Sequence, residues 1–538
     1  MRYILLIILI ISSSTKFLSF ASTIEIKKSG GYAEGAYVEW TGPFANYNVY
    51  IVSGTIATPL DNMLVRYYSN YYRADAVGLK AGKYTFRIIC NSGVKETTAF
   101  TVTAFDRSGF HQSPKSPTYG KGMGAYNIDG TLKDGAQVLY VTEDNKKSVR
   151  MTINGVEYTG VASITQQIKT ENKLGPVAIR VVGQVTLDGL ESVDMAGSSA
   201  MGVKGASEVT IEGIGNDATL ACGIVAYESE NIEIRNLGFK LLRGEHDIGG
   251  INLKSSVGVW VHNNDFFYGE PDANEDQAKG DRTMKLEDDT QYATIAYNHF
   301  WVNVASSLCG MKRETGPNYI SYHHNWFDHS TIMHPRIRSM SVHVYNNFYD
   351  ECYSYGVGVT YNGEAFVESN YFKNVKYPML ISLQGSDKLI GGTFSGENGG
   401  LIKSFGNIIK SQKSYITYDK NKDEFDAYEV ARRIDKVPIN VVGKVGGKTY
   451  SNFDTNRYIM YAYTPDNAND VPTLVMNSAG RTQKGSQNTT SKLLDLDFNK
   501  SNNVIVHHDS HNLNLGASKN YTGVVFVPPN IENIYFES

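Results

Sequence analysis

The chain has 538 residues, of which 41% are hydrophobic and 20% are charged, and its formal net charge is −4. This composition excludes a disordered chain, and the length suits two or three domains, one of which could be a solenoid. Because the net charge is negative, the composition lacks the excess of basic residues that is typical of nucleic-acid-binding proteins, and no nucleic-acid partner is expected. It does not exclude an acidic polymer as a ligand, because a local cationic groove would be sufficient.

The N-terminus carries a targeting signal. Arg2 precedes the apolar run Ile4–Ile11, and the small residues around Ala21 suit cleavage after that position. Because the run is too short to span a bilayer, residues 1–21 are predicted to be a signal peptide, and an uncleaved anchor is the alternative. We therefore expect a secreted, extracellular protein that is monomeric and not inserted in a membrane.

Residues 22–105 are predicted to form a small β-sandwich. Alternating apolar runs between Gly and Asn turns predict its strands, which lie at Ala36–Trp40, Tyr47–Val52, Tyr84–Ile89 and Thr98–Phe105. The turn and tyrosine at Leu79–Tyr84 resemble those entering a late strand of fibronectin type III domains. That resemblance implies that Trp40 is a core residue rather than a sugar platform. The domain could be a spacer or a binding module, and we favour a spacer.

A short sequence motif recurs within residues 125–487. Short period-2 apolar runs each end in an Asn, one further residue and an aromatic, with the Asn at positions 264, 298, 325, 347 and 370. A repeat of 22 to 34 residues predicts stacked coils of short strands, with one Asn per coil forming a ladder of equivalent turns. A β-sandwich with Asn-rich turns is the alternative.

The segments on either side of the repeats differ in composition. Residues 106–124 are rich in Ser, Pro and Gly and are predicted to be a linker. The segment Glu424–Gly480 lacks the repeated phrase and is expected to wrap the coils, with possible helices near Phe425–Arg433 and after Asp470. Residues 488–538 form a polar tail to which the sequence assigns no role.

Several phrases between Ala125 and Gly480 carry a resemblance to a known family. They are GINLKSSVGVWVHNNDFF, YATIAYNHFW, SSLCGM, NYISYHHNWFDHS, HPRIRSMSVHVYNNFYD and KYPMLISLQG. This stretch, about two thirds of the chain, resembles the pectate lyases of polysaccharide lyase family 1. The resemblance implies an all-β fold, with a right-handed parallel β-helix preceded by the small β-sandwich.

The resemblance also implies a chemistry. The family cleaves de-esterified homogalacturonan (pectate) by β-elimination. Calcium held by acidic side chains neutralises the substrate carboxylate, and an arginine takes the C5 proton. A lysine and a second arginine bind the sugar carboxylates.

Three positions to which the resemblance assigns these roles hold other residues. The pattern Arg-x-Pro-x-x-Arg falls on Met333–Arg338, which keeps Arg338 but has Met333 where the base is expected. The substrate-binding lysine is replaced by Ala305, and Lys285 occupies the place of a calcium carboxylate. A thioether cannot act as a base, so the implied chemistry lacks its proton acceptor.

A remnant of the calcium site would consist of Asp281, with Asp247 as a further candidate ligand. The cationic groups of Arg282 and Lys285 would repel Ca2+. Calcium is therefore the cofactor of the family but is not expected to be bound here.

A cationic cluster at the same place indicates an anionic sugar as ligand. Arg336 and Arg338 are also the catalytic candidates. The candidate substrate-binding residues are Arg338, Arg336, Lys285, Arg282 and Lys312, with Arg313 nearby.

Two principal functions remain open. The first is a secreted protein that binds pectate, an acidic plant cell-wall polysaccharide, with β-elimination weakened or lost. The alternative is an active pectate or pectin lyase, in which Arg336 or His334 replaces the base and Lys285 replaces calcium. A purely structural or adhesive role is the third possibility.

Other prominent side chains have structural interpretations. The tryptophans at positions 260, 301 and 326 are expected to pack within coils rather than stack on sugars. The histidines at positions 323, 324 and 343 are expected to pack or hydrogen-bond along the coils rather than ligate a metal.

Overall fold

The structure is a computed structural model that describes residues 23–68, 70–186, 188–195, 198–239, 250–266, 283–390, 394–443 and 448–482. The predicted signal peptide 1–21 and the predicted tail 488–538 lie outside the described residues. The chain divides into two compact units. Among the described residues, the first comprises those up to Gly31, Gly35–Ala76 and Gly82–Val102, and the second comprises Tyr32–Glu34, Val77–Ala81 and those from Thr103 onward.

The first unit consists of two sheets of short strands. The strands are β1 (Glu25–Tyr32), β2 (Gly35–Thr41), β3 (Asn48–Ser53), β4 (Ile56–Pro59), β5 (Val65–Tyr68), β6 (Tyr71–Val77), β7 (Gly82–Cys90), β8 (Gly93–Glu96) and β9 (Phe100–Val102), with a 3-10 turn at Asn62–Leu64. One sheet has the order β1-β2-β6-β5, and the other has the order β4-β3-β7-β8 with β9 on β7. Val38 and Trp40 of the first sheet and Phe86 and Ile88 of the second are fully buried, as expected for the inner faces of a β-sandwich.

The strands and helices of the second unit are short and numerous. Its strands are β10 (Gln137–Val141), β11 (Arg150–Ile153), β12 (Val156–Thr159), β13 (Val177–Thr186), β14 (Val193–Met195), β15 (Ser198–Lys204), β16 (Ser207–Ala221), β17 (Ile224–Tyr227), β18 (Glu230–Arg235), β19 (Gly238–Phe239), β20 (Ile251–Lys254), β21 (Val257–His262), β22 (Asp265–Phe266), β23 (Met284–Glu287), β24 (Gln291–Ala296), β25 (His299–Trp301), β26 (Ser307–Cys309), β27 (Ile320–His323), β28 (Trp326–Asp328), β29 (Arg336–Arg338), β30 (Ser341–Tyr345), β31 (Phe348–Asp350), β32 (Tyr355–Thr360), β33 (Glu364–Glu368), β34 (Tyr371–Lys373), β35 (Tyr377–Ile381), β36 (Leu401–Phe405), β37 (Ile408–Lys410) and β38 (Tyr428–Glu429). The helices are α1 (Val161–Thr165), α2 (Ser386–Leu389) and α3 (Val471–Ser478), with 3-10 turns at Phe110–Gln112, Thr170–Asn172 and Phe453–Thr455.

These strands stack in three parallel runs. One run passes through β18, β21, β24, β27, β30, β33 and β36, and a second through β19, β22, β25, β28, β31, β34 and β37. The third run passes through β15, β17, β20, β23, β26, β29, β32 and β35. Each coil contributes one strand to each run, so the chain forms the predicted parallel β-helix, in which every coil packs on its sequence neighbours.

The predicted asparagine ladder is present. Each Asn donates its Nδ2–H to Oδ1 of the Asn one coil further on, at 2.9–3.1 Å, and the backbone N–H of each also reaches that oxygen. The members are Asn264, Asn298, Asn325, Asn347, Asn370 and a sixth, Asn407. The ladder pairs buried polar groups at one turn of every coil, which fixes the register of the stack.

The aromatic residue of each repeat lies in the core, two positions after the Asn. The ring centroids of successive coils are 4.2–5.1 Å apart and the rings are nearly parallel, so they form one continuous stack. Its members are Phe239, Phe266, Phe300, Phe327, Tyr349 and Phe372. Trp260, Trp301 and Trp326 are also buried, as expected of coil packing.

The segment 106–124 is not a free linker. Phe110 and His111 are fully buried, and the backbone N–H of Phe110 donates to Ser321 Oγ at 3.0 Å. The imidazole of His111 stacks on Trp260 with centroids 4.9 Å apart. The Ser, Pro and Gly residues form tight turns that lay part of the segment along the strands of the first run, while other residues of the segment are exposed.

The C-terminal segment differs from the prediction in one of its two helices. Val471 and Val475 of α3 pack against Trp326 and Phe348, so the helix expected after Asp470 is present. No helix forms at Phe425–Arg433, which is described throughout. Instead β38 pairs with Lys403 and Ser404 of β36 and extends the sheet, because the edge of the last coil offers unpaired backbone groups. In the described residues, no helix combines the length and apolarity that crossing a membrane requires.

Candidate active site

The outward face of the third run carries the cationic candidates. On β23, Met284 and Leu286 point into the core, so the alternation of a strand places Lys285 on the opposite face. The register aligns Lys285 with Leu308 and then Leu308 with Arg336 on successive coils. Lys285 and Arg336 therefore lie on one row across the sheet. They are two strands apart, so their Cα atoms are separated by roughly 10 Å.

Arg338 lies on the same face as Arg336 but is occupied by protein carboxylates. Its Nε–H donates to both oxygens of Glu397 at 3.0 Å, and Nη1 lies 3.7 Å from Glu314 Oε2. The guanidinium also stacks over the Tyr361 ring, 4.2 Å from its centroid, and Arg338 is only 7% exposed. A ligand carboxylate would have to displace Glu397 to reach this guanidinium.

The positive charge of Arg336 is less fully neutralised by protein carboxylates than that of Arg338. Its Nη2 lies 3.4 Å from Ser395 Oγ and 3.9 Å from Glu397, and 19% of its side chain is exposed. Because Glu397 already accepts the shorter contacts from Arg338, Arg336 retains more of its charge for an external anion. Of the two arginines of β29, Arg336 is the better placed to bind a substrate carboxylate.

Met333 is held in apolar surroundings. It packs in a cluster with Tyr355, Tyr377 and Leu380, and its backbone is left-handed with a φ of 64°. The side chain therefore presents neither a base nor a charge at the position where the resemblance expects an arginine.

The three replaced positions lie on adjacent coils. The N–H of Thr283 donates to Ala305 O at 2.9 Å, and the N–H of Ser307 donates to Met333 O at 2.8 Å. Ala305 itself is fully buried and bridges to Ile332 of the next coil. The structure thus brings the three positions together at the start of three consecutive strands.

Lys285 is buried beside an acid. Burial raises the pKa of Glu287, which alternates onto the same face, and the nearby Lys285 opposes part of that rise. Glu287 Oε2 also accepts a long hydrogen bond from Asn252 Nδ2 at 3.4 Å. The ammonium and the carboxylate are therefore electrostatic partners on one strand.

The remaining candidates are less informative. Lys312 and Arg313 are exposed, and Arg313 lies 3.7 Å from Asp288. Asp247, Asp281 and Arg282 lie outside the described residues.

His334 is excluded as a replacement base. It is fully buried, its Nδ1–H donates to Tyr355 O at 2.7 Å, and its ring lies edge-on to Phe327 with centroids 5.2 Å apart. Burial lowers the pKa of His334 to about 4. The prediction that His334 could approach a substrate is wrong, because the left-handed backbone at Met333 turns the following side chain into the core.

The carboxylates that compensate the arginines were missed by the sequence prediction. Glu397 is 59 residues from Arg338 and 61 residues from Arg336 in the sequence, and it belongs to no repeat. Glu314 lies in the turn after β26, close to Lys312 and Arg313, and nothing in its spacing indicates a partner on β29.

The coil architecture, the asparagine ladder and the charged outer face define a parallel β-helix protein with a candidate polysaccharide surface. The sequence model of the family described as pectate lyase matches residues 127–484. The chain belongs to the pectate lyase family.

Similar proteins carry the same family name. The Pectate trisaccharide-lyase of Bacillus licheniformis is 27% identical over 263 residues, which are 48% of this chain and 69% of the relative. Pectate lyase B of Dickeya chrysanthemi is 26% identical over 373 residues, 66% of this chain and 87% of the relative. A pectate lyase of Bacillus sp. N165 in complex with trigalacturonate is 19% identical with a TM-score of 0.45, over 70% of this chain and 98% of that chain.

Proposed function

We propose that this chain is a secreted member of the family that binds de-esterified homogalacturonan on the outward face of the third run, with β-elimination weakened or lost. The observation that carries the proposal is the contrast between two neighbours on one coil. Arg336 is partly exposed and only loosely paired, whereas Met333 packs in an apolar cluster. The surface thus offers a group that binds a carboxylate but no group that removes a proton.

Removal of the C5 proton requires a base within hydrogen-bond reach of the sugar. The thioether at Met333 has no such capacity, and His334 is directed into the core. Loss of a positioned base typically costs about 100- to 10,000-fold in rate, which supports weak or absent turnover.

The described residues do not suit calcium at the expected place. An ammonium, that of Lys285, stands where a carboxylate is required, and Glu287 is already its electrostatic neighbour. Ca2+ prefers six to eight oxygen ligands, and a cation in their midst opposes binding. We therefore derive no step through calcium.

The alternative function is an active lyase in which Lys285 replaces calcium. Its support is the shared row of Lys285 and Arg336, which would place one ammonium and one guanidinium along a bound uronate chain. In that case Arg336 would also have to act as the base, although Arg is deprotonated only with great difficulty.

Export supports a polymer outside the cell as the ligand, since the N-terminal pattern predicts a signal peptide. The stacked coils bury one continuous core within a single chain, and we propose a monomer.

The test is the ultraviolet absorbance of unsaturated product from polygalacturonate, with Ca2+ and with chelator, together with binding of the same polymer by calorimetry. Wild type should bind without turnover. The Met333→Arg/Ala305→Lys/Lys285→Asp variant, once circular dichroism shows it to be folded, should gain Ca2+-dependent turnover. Turnover by wild type in the presence of chelator would overturn the proposal and favour the alternative.

A further inference from the structure

Two consecutive histidines, His323 and His324, bring their imidazoles together at the end of β27. Successive side chains of a strand normally point to opposite faces. Here His324 has a left-handed backbone with a φ of 52°, and the two Nδ1 atoms lie 2.9 Å apart. Tyr345 stacks on His323 and Tyr297 on His324, so both rings are fixed in orientation.

The outer nitrogen of each ring is already anchored to an acceptor. His323 Nε2 donates to the carbonyl oxygen of Ser108 at 2.9 Å, and His324 Nε2 faces Asp466 Oδ2 at 2.8 Å. Ligating histidines usually donate the other ring N–H to a backbone carbonyl or a carboxylate in this way, which directs the free lone pair to the metal.

A proton count shows that the pair lacks one cation. The contacts with Ser108, with Asp466 and between the two Nδ1 atoms each require a hydrogen or a cation between acceptors. Two neutral imidazoles supply only two hydrogens. The third contact must therefore hold an additional proton or a metal ion.

A carboxylate completes the group. An oxygen of Asp106, one ring nitrogen of His323 and one ring nitrogen of His324 all lie within 4.8 Å of one another. Asp106 is exposed and can close the remaining distance, and its oxygens are oriented by Ser108 N–H at 2.9 Å and Tyr297 O–H at 3.1 Å. Among the described residues this is the one such group of His, Cys, Asp or Glu close enough for metal binding.

The site opens into a cleft of about 1180 Å3, which Asp106, Tyr297, His324 and Asp466 help to line. Because Asp106 and His324 border the cleft, an ion can reach the group from solvent. It lies at the first run of strands, whereas the candidate pectate surface lies on the third run.

We propose that Asp106, His323 and His324 bind one divalent transition-metal ion of borderline softness, such as Zn2+, through the carboxylate and the two Nδ1 atoms. Imidazole suits Zn2+, Cu2+ and Ni2+. Two nitrogens with bonds of about 2.05 Å to one ion are about 2.9 Å apart at an angle of about 90° and about 3.3 Å apart at the tetrahedral angle. The observed separation of 2.9 Å therefore fits an octahedral or square-planar ion directly, and tetrahedral Zn2+ after the two rings open by a few tenths of an ångström. The ion ties the segment containing Asp106 to a central coil and, through Asp466, to the C-terminal segment.

The experiment titrates the full chain with Zn2+ by calorimetry and with Co2+ by visible absorption. The background carries His507→Asn, His508→Asn and His511→Asn, because those tail histidines could chelate metal on their own. We expect one ion per chain, nitrogen and oxygen ligation in the Co2+ spectrum, and a Zn2+-dependent rise in Tm. Asp106→Asn should weaken binding at least about 10-fold, and Asp466→Asn by about 10- to 100-fold.

Asp134→Asn is the matched control, since Asp134 is also an exposed aspartate of the same unit. Asp106→Asn removes a surface carboxylate and should leave the circular dichroism spectrum unchanged, so the test does not depend on replacing a buried histidine. Zn2+ binding equal in Asp106→Asn and Asp134→Asn would overturn the proposal. The absence of any saturable one-to-one binding would also overturn it and would assign the third contact to a proton.

Discussion

Both oxygens of Glu397 lie 3.0 Å from Nε of Arg338, so a carboxylate of the protein occupies the guanidinium that a pectate carboxylate would use. The same Glu397 approaches Arg336 at 3.9 Å. If the proposed function holds, Glu397 competes with the polymer for these guanidinium groups, and removing its charge should increase the affinity for pectate.

Glu397→Gln should bind polygalacturonate about 3- to 10-fold more tightly than wild type, because a neutral amide releases positive charge for the polymer carboxylates. Calorimetry at two salt concentrations checks this, and the gain should shrink at high salt. Glu424→Gln, which removes an exposed acid paired with Lys388, is the control and should not change affinity. A loss of affinity in Glu397→Gln would mean that Glu397 positions the arginines instead of competing for them.

Arg336→Gln should weaken polygalacturonate binding about 5- to 20-fold, because Arg336 is the more exposed of the two arginines of β29. Arg150→Gln, which removes an exposed arginine paired with Glu157 on a separate hairpin, serves as the control. Equal affinity in the two variants would place the polymer elsewhere on the molecule. Affinity electrophoresis in gels containing the polymer is a sufficient measurement.

Asn325→Ala should destabilise the protein by about 2–5 kcal/mol, because the ladder would lose a central member. Asn325 Nδ2 donates to Asn347 Oδ1 at 2.9 Å and to Ile295 O at 2.8 Å, and its Oδ1 accepts from Asn298. The substitution leaves these buried groups unpaired. Denaturant unfolding measures the change.

Asn407→Ala is the matched variant for the ladder, since Asn407 is the last member and is only partly buried. Water can replace its hydrogen bonds, so its cost should be less than half that of Asn325→Ala. Equal costs would show that the ladder stabilises each coil independently of burial.

The free energy of unfolding should depend on pH through His329. Burial opposes its charge, but a hydrogen bond to Asp328 at 2.5 Å and an ion pair with Glu351 at 3.5 Å overcome that effect and raise the pKa of His329 to about 10. A histidine with a raised folded pKa contributes stability that is fully present below the unfolded pKa and is lost as pH rises through the folded one.

Between about pH 6.5 and pH 10, wild type should therefore lose about 2–4 kcal/mol more than His329→Gln does. Urea unfolding at several pH values within this window measures the free energy of unfolding of both proteins. The contributions of the other titrating groups cancel when the two values are subtracted. Parallel pH profiles for wild type and His329→Gln would contradict the assigned charge.

The coil architecture could be predicted because each repeat contains the residues that form its own strand and turn. Asn325 and Phe327 occupy the same places in their coil as Asn298 and Phe300 in the preceding one, so one phrase predicts both the ladder and the ring stack. Asn407 was missed because Ile409 stands where the aromatic is expected. Local patterns thus predict the parts of the fold that repeat.

The site was less predictable, because its decisive contacts join distant segments. Nothing near Arg338 in sequence indicates Glu397, and nothing near His323 indicates Ser108 or Asp106. The absent helix at Phe425–Arg433 has a similar cause, since a short apolar run becomes a strand when a sheet edge is available to it. Such choices depend on tertiary partners that a single sequence does not reveal.

The packing of Phe110 has a mechanical consequence. Its ring meets Tyr461 at 5.0 Å and Phe453 at 6.2 Å, and Ser113 Oγ donates to Ile459 O at 2.5 Å. The segment that leads into the coils therefore packs directly against the segment that follows them. Tension applied along the polypeptide would load this contact once α3 and the residues after it had detached, and the contact would then shield the coils between the two segments from being pulled apart one at a time.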